Sequence, residues 1–259
     1  MKFRTTDNVE LDYSDSGGDG QAVLLLNGIG SYKEIWLKQV EFLKSLGYRV
    51  IKLDARNQGQ SQRTLKGRRI SKHAQDIKEL LDFLNINRFV GIGNSMGAAT
   101  LFAFISLYGS RQLVSLMDID QSPKMVSDAN WKFGFKSLDW DNFPAYLKIP
   151  FGPAAYHDID DEVFAAMKKA QRSKTYDAEL NYPMLVDHAF QDWRDVVSMM
   201  NVPLLIIAGE KSPYFDPKFA KVTAGIAKDG DYQIIKNCGH LVMAEKVDEF
   251  NQILKEFLN

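Results

Sequence analysis

A chain of 259 residues, 45% of them hydrophobic, is long enough for one compact α/β domain with room for an insertion. Its 32 Lys and Arg against 33 Asp and Glu leave a formal charge of −1, which gives no electrostatic reason to expect nucleic acid or a membrane surface as a partner. The single cysteine, Cys238, excludes an internal disulfide, and the four histidines (His73, His157, His188, His240) are too scattered for a zinc site, so neither metal nor cofactor is expected.

In chain order, residues 2–5 and 9–14 alternate as a short antiparallel hairpin, with Asp7-Asn8 at its turn. Ala22 to Leu26 is a continuous apolar run, the mark of a strand buried on both faces of a parallel sheet. It stops at Asn27-Gly28-Ile29-Gly30, a loop able to bring backbone N–H groups near a ligand. Helical spacing then covers Glu34 to Leu46, and Tyr48 to Leu53 is the next strand. After a basic loop containing Lys66, Arg68 and Arg69, a helix is expected from Ile70 to Leu84 with Ala74, Ile77, Leu80 and Leu81 on its apolar stripe; His73 reads as a surface or packing histidine.

The stretch Phe89 to Thr100, FVGIGNSMGAAT, organises the rest. A β-rich run meets Gly93-Asn94-Ser95-Met96-Gly97 and an Ala-rich helix follows, which is the G-x-S-x-G pattern of a nucleophile elbow. The sharp turn strains the central residue and lifts its side chain clear of the sheet, while the flanking glycines let strand and helix pass closely. Ser95 is therefore the expected nucleophile.

The helix after it runs to Tyr108, and the strand Leu113 to Ile119 ends beside Asp120. From 121 to 201 the strand–helix rhythm is lost, aromatics accumulate, Pro144, Pro150, Pro153 and Pro183 divide the segment, and helical spacing appears at 160–171 and 184–199. This reads as a helical cap inserted into a core made of 1–120 and 202–259. The rhythm resumes with a strand through Gly209, a helix near Pro217, a strand from Tyr232 to Lys236, Asn237-Cys238-Gly239-His240, and a closing helix from Val247 to Leu258. The fold class is α/β, a doubly wound, mostly parallel sheet with a helical cap. Asn27-Gly28, Ser95, Asp120, the loop after Gly209 and His240 all follow strand ends, where ligands of such sheets bind.

Four ordered segments, LLLNGIG, LDARNQGQS, GIGNSMG and NCGHLVMAEKVDEFN, make the whole chain resemble the α/β-hydrolase superfamily, in its serine esterase or non-haem haloperoxidase-like branch. The resemblance implies Ser95 as nucleophile, His240 as general base, and an oxyanion hole from the backbone N–H groups of Ile29 and Met96. The chain departs from the family pattern at Asn27, where histidine is usual, and at Asn57-Gln58 in a loop expected to be remote from the chemistry. It also departs at Ser212, where the acid of the triad usually stands. Relatives that take the acid from the end of the strand after the nucleophile helix point to Asp120. Asp216 is the second candidate, equally suited to capping a helix, and Asp118 the third.

The chemistry expected is acyl transfer to Ser95 and hydrolysis of a small carboxylic ester. A perhydrolase, a C–C or amide hydrolase, and a non-catalytic ligand-binding protein of the same fold stay open as alternatives. The partner expected is a small-molecule substrate, with a homodimer left open. MKFRTTDNVELDY lacks the apolar segment of a secretion signal and no apolar run approaches the about 20 residues of a membrane span, so a cytoplasmic location is expected.

Overall fold

The apolar runs become the middle of an eight-stranded sheet. The computed structural model describes all 259 residues. Its strands are β1 (Lys2–Arg4), β2 (Glu10–Asp15), β3 (Ala22–Leu26), β4 (Arg49–Asp54), β5 (Phe89–Asn94), β6 (Leu113–Ile119), β7 (Leu204–Gly209) and β8 (Gly230–Ile235). They lie in the order β1-β2-β4-β3-β5-β6-β7-β8, antiparallel from β1 to β4 and parallel from there on. The helices are α1 (Leu37–Ser45), α2 (Ile70–Phe83), α3 (Met96–Tyr108), α4 (Asp161–Ser173), α5 (Ala178–Phe190), α6 (Arg194–Met199), α7 (Lys218–Ala224), α8 (Val242–Glu245) and α9 (Val247–Leu258).

Alternation along the strands divides the core in two. Leu24, Leu26, Leu53, Leu204 and Ile206 pack with residues of α2, α3 and α7, including Ile77, Phe102 and Phe219. Val23, Leu25, Val50, Leu205 and Ile207 pack on the other face with Leu43 of α1 and Phe250 and Leu254 of α9. β3, β5 and β7 are buried at every position, which is why they carry no polar alternation. α3 is apolar almost all round because it is enclosed from Met96 to Ile105.

Two helices differ from the spacing in the sequence. The one expected over Glu34 to Leu46 begins as a tight 3₁₀ turn, Lys33–Trp36, before α1. The one expected over 184–199 is two helices, and the first starts earlier. Asp177 caps α5 by accepting from the Leu180 N–H at 2.9 Å, and Pro183 sits inside that helix rather than dividing the segment. The break before α6 has a non-local cause: the Trp193 N–H donates to the Pro123 carbonyl at 2.9 Å, pulling the chain back onto the segment that leaves β6. No helix is long and apolar enough to cross a membrane.

Candidate active site

Ser95 joins β5 to α3 with φ 55° and ψ −125°, a conformation a side chain rarely adopts. Close packing on both sides enforces it. A Cβ at Gly93 would lie 2.3 Å from the Ala98 nitrogen, and one at Gly97 would lie 2.3 Å from the Leu26 carbonyl oxygen. The Ser95 N–H donates to the Ile119 carbonyl at 2.9 Å. The Asn94 amide donates to the carbonyls of Ile119 and His240, each at 3.1 Å, so one buried side chain ties the elbow to the ends of two other strand connections.

The loop after β3 lies against the elbow. A Cβ on Gly28 would stand 3.0 Å from the Ser95 Cβ and 3.5 Å from its Oγ. The N–H groups of Ile29 and Met96 have no hydrogen-bond partner within the protein. Next to Ile29, the Gly30 N–H donates to Gln58 Oε1 at 2.7 Å, and Gln58 Nε2 donates to Asn181 Oδ1 of α5 at 2.6 Å. The Arg56-Asn57-Gln58-Gly59 loop is therefore not remote from the site, as the sequence suggested: Gln58 holds the loop beside Ser95. Removing it with Gln58→Leu leaves the half-buried Gly30 N–H without its partner and frees that loop. We expect kcat for an ester to fall about 10-fold, less than the cost of losing an oxyanion donor outright, with KM nearly unchanged; a parallel rise in KM alone would contradict this.

Asp120 follows β6 with φ 55°, and its N–H donates to the Ile207 carbonyl at 2.7 Å. Its carboxylate, fully buried, accepts three donors. Oδ2 lies 2.5 Å from His240 Nδ1 and 2.5 Å from the Ser212 hydroxyl, and Oδ1 accepts the Gly209 N–H at 3.1 Å. Ser212 thus donates to the carboxylate rather than replacing it. Asp118, two residues deeper, is also fully buried but neither oxygen has a hydrogen-bonding partner at short range. Burial first, then the neighbouring Asp120, pushes its carboxyl well above the usual range, so it is suited to staying neutral. Asp216 is exposed and accepts the Lys218 N–H at 3.0 Å, a helix-capping role.

His240 is 5% exposed. Its N–H donates to the Ala154 carbonyl at 2.9 Å, and the Tyr214 ring packs edge-on at 4.6 Å between centroids. Glu245 clamps the surrounding loop, accepting from the N–H groups of Gly239, Leu241, Tyr156 and His157 at 2.9 to 3.2 Å. Its position five residues after His240 was the only sequence signal for that role. Cys238 is fully buried in the core, and burial raises its thiol pKa, which suits a packing residue.

Ser95 and His240 open into one cavity of about 210 Å³. Gly28, Ile29, Met125, Phe135, Phe151 and Leu185 contribute to its wall, and no Asp, Glu, Lys or Arg does. The Ser95 hydroxyl is not hydrogen-bonded to His240; such contacts commonly close on substrate binding. Phe151 and Leu185 also border a second groove of about 630 Å³, lined by Ile149, Tyr176 and Tyr182 among others.

His188 of α5 lines the cavity, and His73 of α2 is buried outside its wall. Burial pushes His188 down to about 4, and burial with the charge of Arg56 pushes His73 down to about 3. Both stay neutral in the fold where the unfolded chain takes up protons near pH 6.5. Their contribution to stability is complete above about pH 6.5 and is lost as pH falls toward 4, with a slope approaching about 2.7 kcal/mol per pH unit for two protons. Urea unfolding at pH 7, 6 and 5 should show that decline, and a constant midpoint would contradict it.

Residues 21–147 match a family model described as alpha/beta hydrolase fold. Over 96% of its length the chain is 26% identical to a 2-hydroxy-6-oxononadienedioate/2-hydroxy-6-oxononatrienedioate hydrolase of Paraburkholderia xenovorans, covering 91% of that protein. Among solved structures, an esterase from Exiguobacterium antarcticum superposes with a TM-score of 0.85 at 19% identity, covering 99% of this chain and 98% of that one. A bromoperoxidase from Bacillus anthracis superposes with a TM-score of 0.83 at 22% identity, covering 97% and 96%. With an elbow serine at the end of β5 and the sheet order around it, these likenesses give the chain the α/β-hydrolase fold.

Proposed function

We propose that the protein is a serine hydrolase of small, uncharged carboxylic esters, with residues 121–201 acting as a cap over the site. The observation that carries this reading is the convergence of Ser95, His240 paired with Asp120 at 2.5 Å and the unpartnered Ile29 N–H on one cavity without charged side chains, with the unpartnered Met96 N–H directly after Ser95 in the chain. His240 takes the Ser95 proton as Oγ attacks the ester carbonyl, and Asp120 holds the imidazole with Nδ1–H toward itself. The N–H groups of Ile29 and Met96 stabilise the oxyanion. Collapse expels the alcohol with the proton from His240, and water, deprotonated by the same base, then releases the acid from the acyl-enzyme.

The neutral cavity favours an ester over a dienedioate, whose two carboxylates would enter without a cationic partner. p-Nitrophenyl acetate and butyrate test the reading: turnover that depends on Ser95 and His240 is expected, and equal rates for wild type and Ser95→Ala would overturn it. The likeness to a bromoperoxidase supports a second reading, in which hydrogen peroxide replaces water at the acyl-enzyme and a peracid leaves. Peroxide-dependent peracid formation from acetate esters, lost in Ser95→Ala, is its test.

A further inference from the structure

The inner face of α5 carries Asn181, Leu185 and His188 at intervals of four and three residues, which places them on one stripe. Asn181 holds Gln58, and through it the loop beside Ser95. Leu185 and His188 line the cavity itself. His188 is only 4% exposed, yet its ring makes no hydrogen bond to the protein. Its Nδ1 is enclosed with no partner, whereas Nε2 is not among the enclosed atoms.

A neutral imidazole carries one N–H and one bare nitrogen. No acceptor faces Nδ1, so a proton there would be a buried donor with nothing to bond, the costlier arrangement. The proton belongs on Nε2, at the cavity. Burial, which pushes the ring down to about 4, keeps it uncharged at neutral pH and suits it to an uncharged acceptor rather than a carboxylate. Of the two cavity amides, Asn94 spends both its N–H groups on the Ile119 and His240 carbonyls, and Gln121 spends one of its two on the Ser122 carbonyl at 2.7 Å.

We infer that His188 is a specificity-determining residue whose Nε2–H donates to a second, uncharged oxygen of the substrate, so that the enzyme selects esters bearing an ether, keto or hydroxyl oxygen over their all-carbon counterparts. The inference rests on the ester-hydrolase reading and deepens it. The apolar wall of Phe135, Phe151 and Leu185 accepts the carbon skeleton of either substrate, and the selection comes from one donor that a methylene leaves unpaired.

Two matched pairs of p-nitrophenyl esters test it: methoxyacetate against butyrate, and 4-oxopentanoate against 4-methylpentanoate. The kcat/KM ratio within each pair is compared among wild type, His188→Leu and His188→Gln, which cancels the intrinsic reactivity of each ester. For at least one pair the ratio should fall about 10-fold in His188→Leu, the worth of one hydrogen bond, and recover in His188→Gln. A purely structural role would lower both members together, and ratios unchanged in both pairs would overturn the inference. The affinities of the Ser95→Ala protein for methyl methoxyacetate and methyl butyrate, with and without His188→Leu, provide a readout free of turnover. A preference for the ether that His188→Leu abolishes supports the inference even where no ester is hydrolysed; equal affinities and equal ratios together reject it. Absence of Ser95-dependent turnover counts against the hydrolase reading alone.

Discussion

On the proposed mechanism, Ser95→Ala should lower kcat for p-nitrophenyl butyrate by a factor on the order of 10⁵ to 10⁶, because without the hydroxyl no acyl-enzyme would form and only binding and the proposed oxyanion donors would remain. His240→Ala should lose a similar factor, and the double variant little more, since nucleophile and base act as one unit. The fold should survive. The Ser95 side chain makes no capping hydrogen bond to α3, and its backbone is held at φ 55°. Ser95→Gly removes a strained side chain and breaks no side-chain hydrogen bond within the protein, so it should be inactive and more stable by about 1 kcal/mol. Pre-steady-state kinetics and urea denaturation on the same preparations check both halves. A Ser95→Gly protein less stable than wild type would mean the elbow is not strained.

Asp120→Asn should lower kcat about 10⁴-fold, the loss expected when a triad acid becomes an amide. Three donors converge on the Asp120 carboxylate, from His240, Ser212 and Gly209. An amide presents one oxygen to three donors, so an NH₂ group must face at least one of them. Turned to His240, the NH₂ group deprives the ring of its acceptor; turned to Gly209, it leaves the ring a neutral oxygen that cannot balance an imidazolium. Asp216→Asn should stay within about twofold of wild type, since surface substitutions of this kind rarely matter. Ser212 touches the same oxygen as His240, so Asp120→Asn combined with Ser212→Asp should recover about 10-fold of the lost rate by restoring a carboxylate to the pair. A crippled Asp216→Asn beside a normal Asp120→Asn would reverse the assignment. kcat values and far-UV spectra of the four proteins decide it.

What could be read from the chain alone was whatever depends on neighbours in sequence. AVLLL and LLIIAG are buried on both faces in the structure and were already continuous apolar runs. Gly93 and Gly97 bracket Ser95 because a strand that turns into a helix within a few residues leaves no room for a Cβ, a local steric fact visible in five letters. The mostly parallel sheet followed from the alternation of such strands with helices. Helix limits in the 121–201 segment were less legible, because the break before α6 comes from a bond to Pro123, far away in the chain.

Only the tertiary structure could choose among Asp118, Asp120 and Asp216 as neighbours of His240. That choice depends on where β6, β7 and β8 end relative to one another, and strand register is a property of the assembled sheet. The same holds for Gln58, whose two hydrogen bonds join the loop beside Ser95 to α5, and for Ser212, which looked like a missing acid and is a donor to the one present. Composition announced an aromatic-rich segment over the site, but the facing of Phe135, Phe151 and His188 toward the cavity was decided by packing. Local sterics write the elbow serine into the sequence. The groups that orient it are brought together across strand ends, by distances that no spacing along the chain encodes.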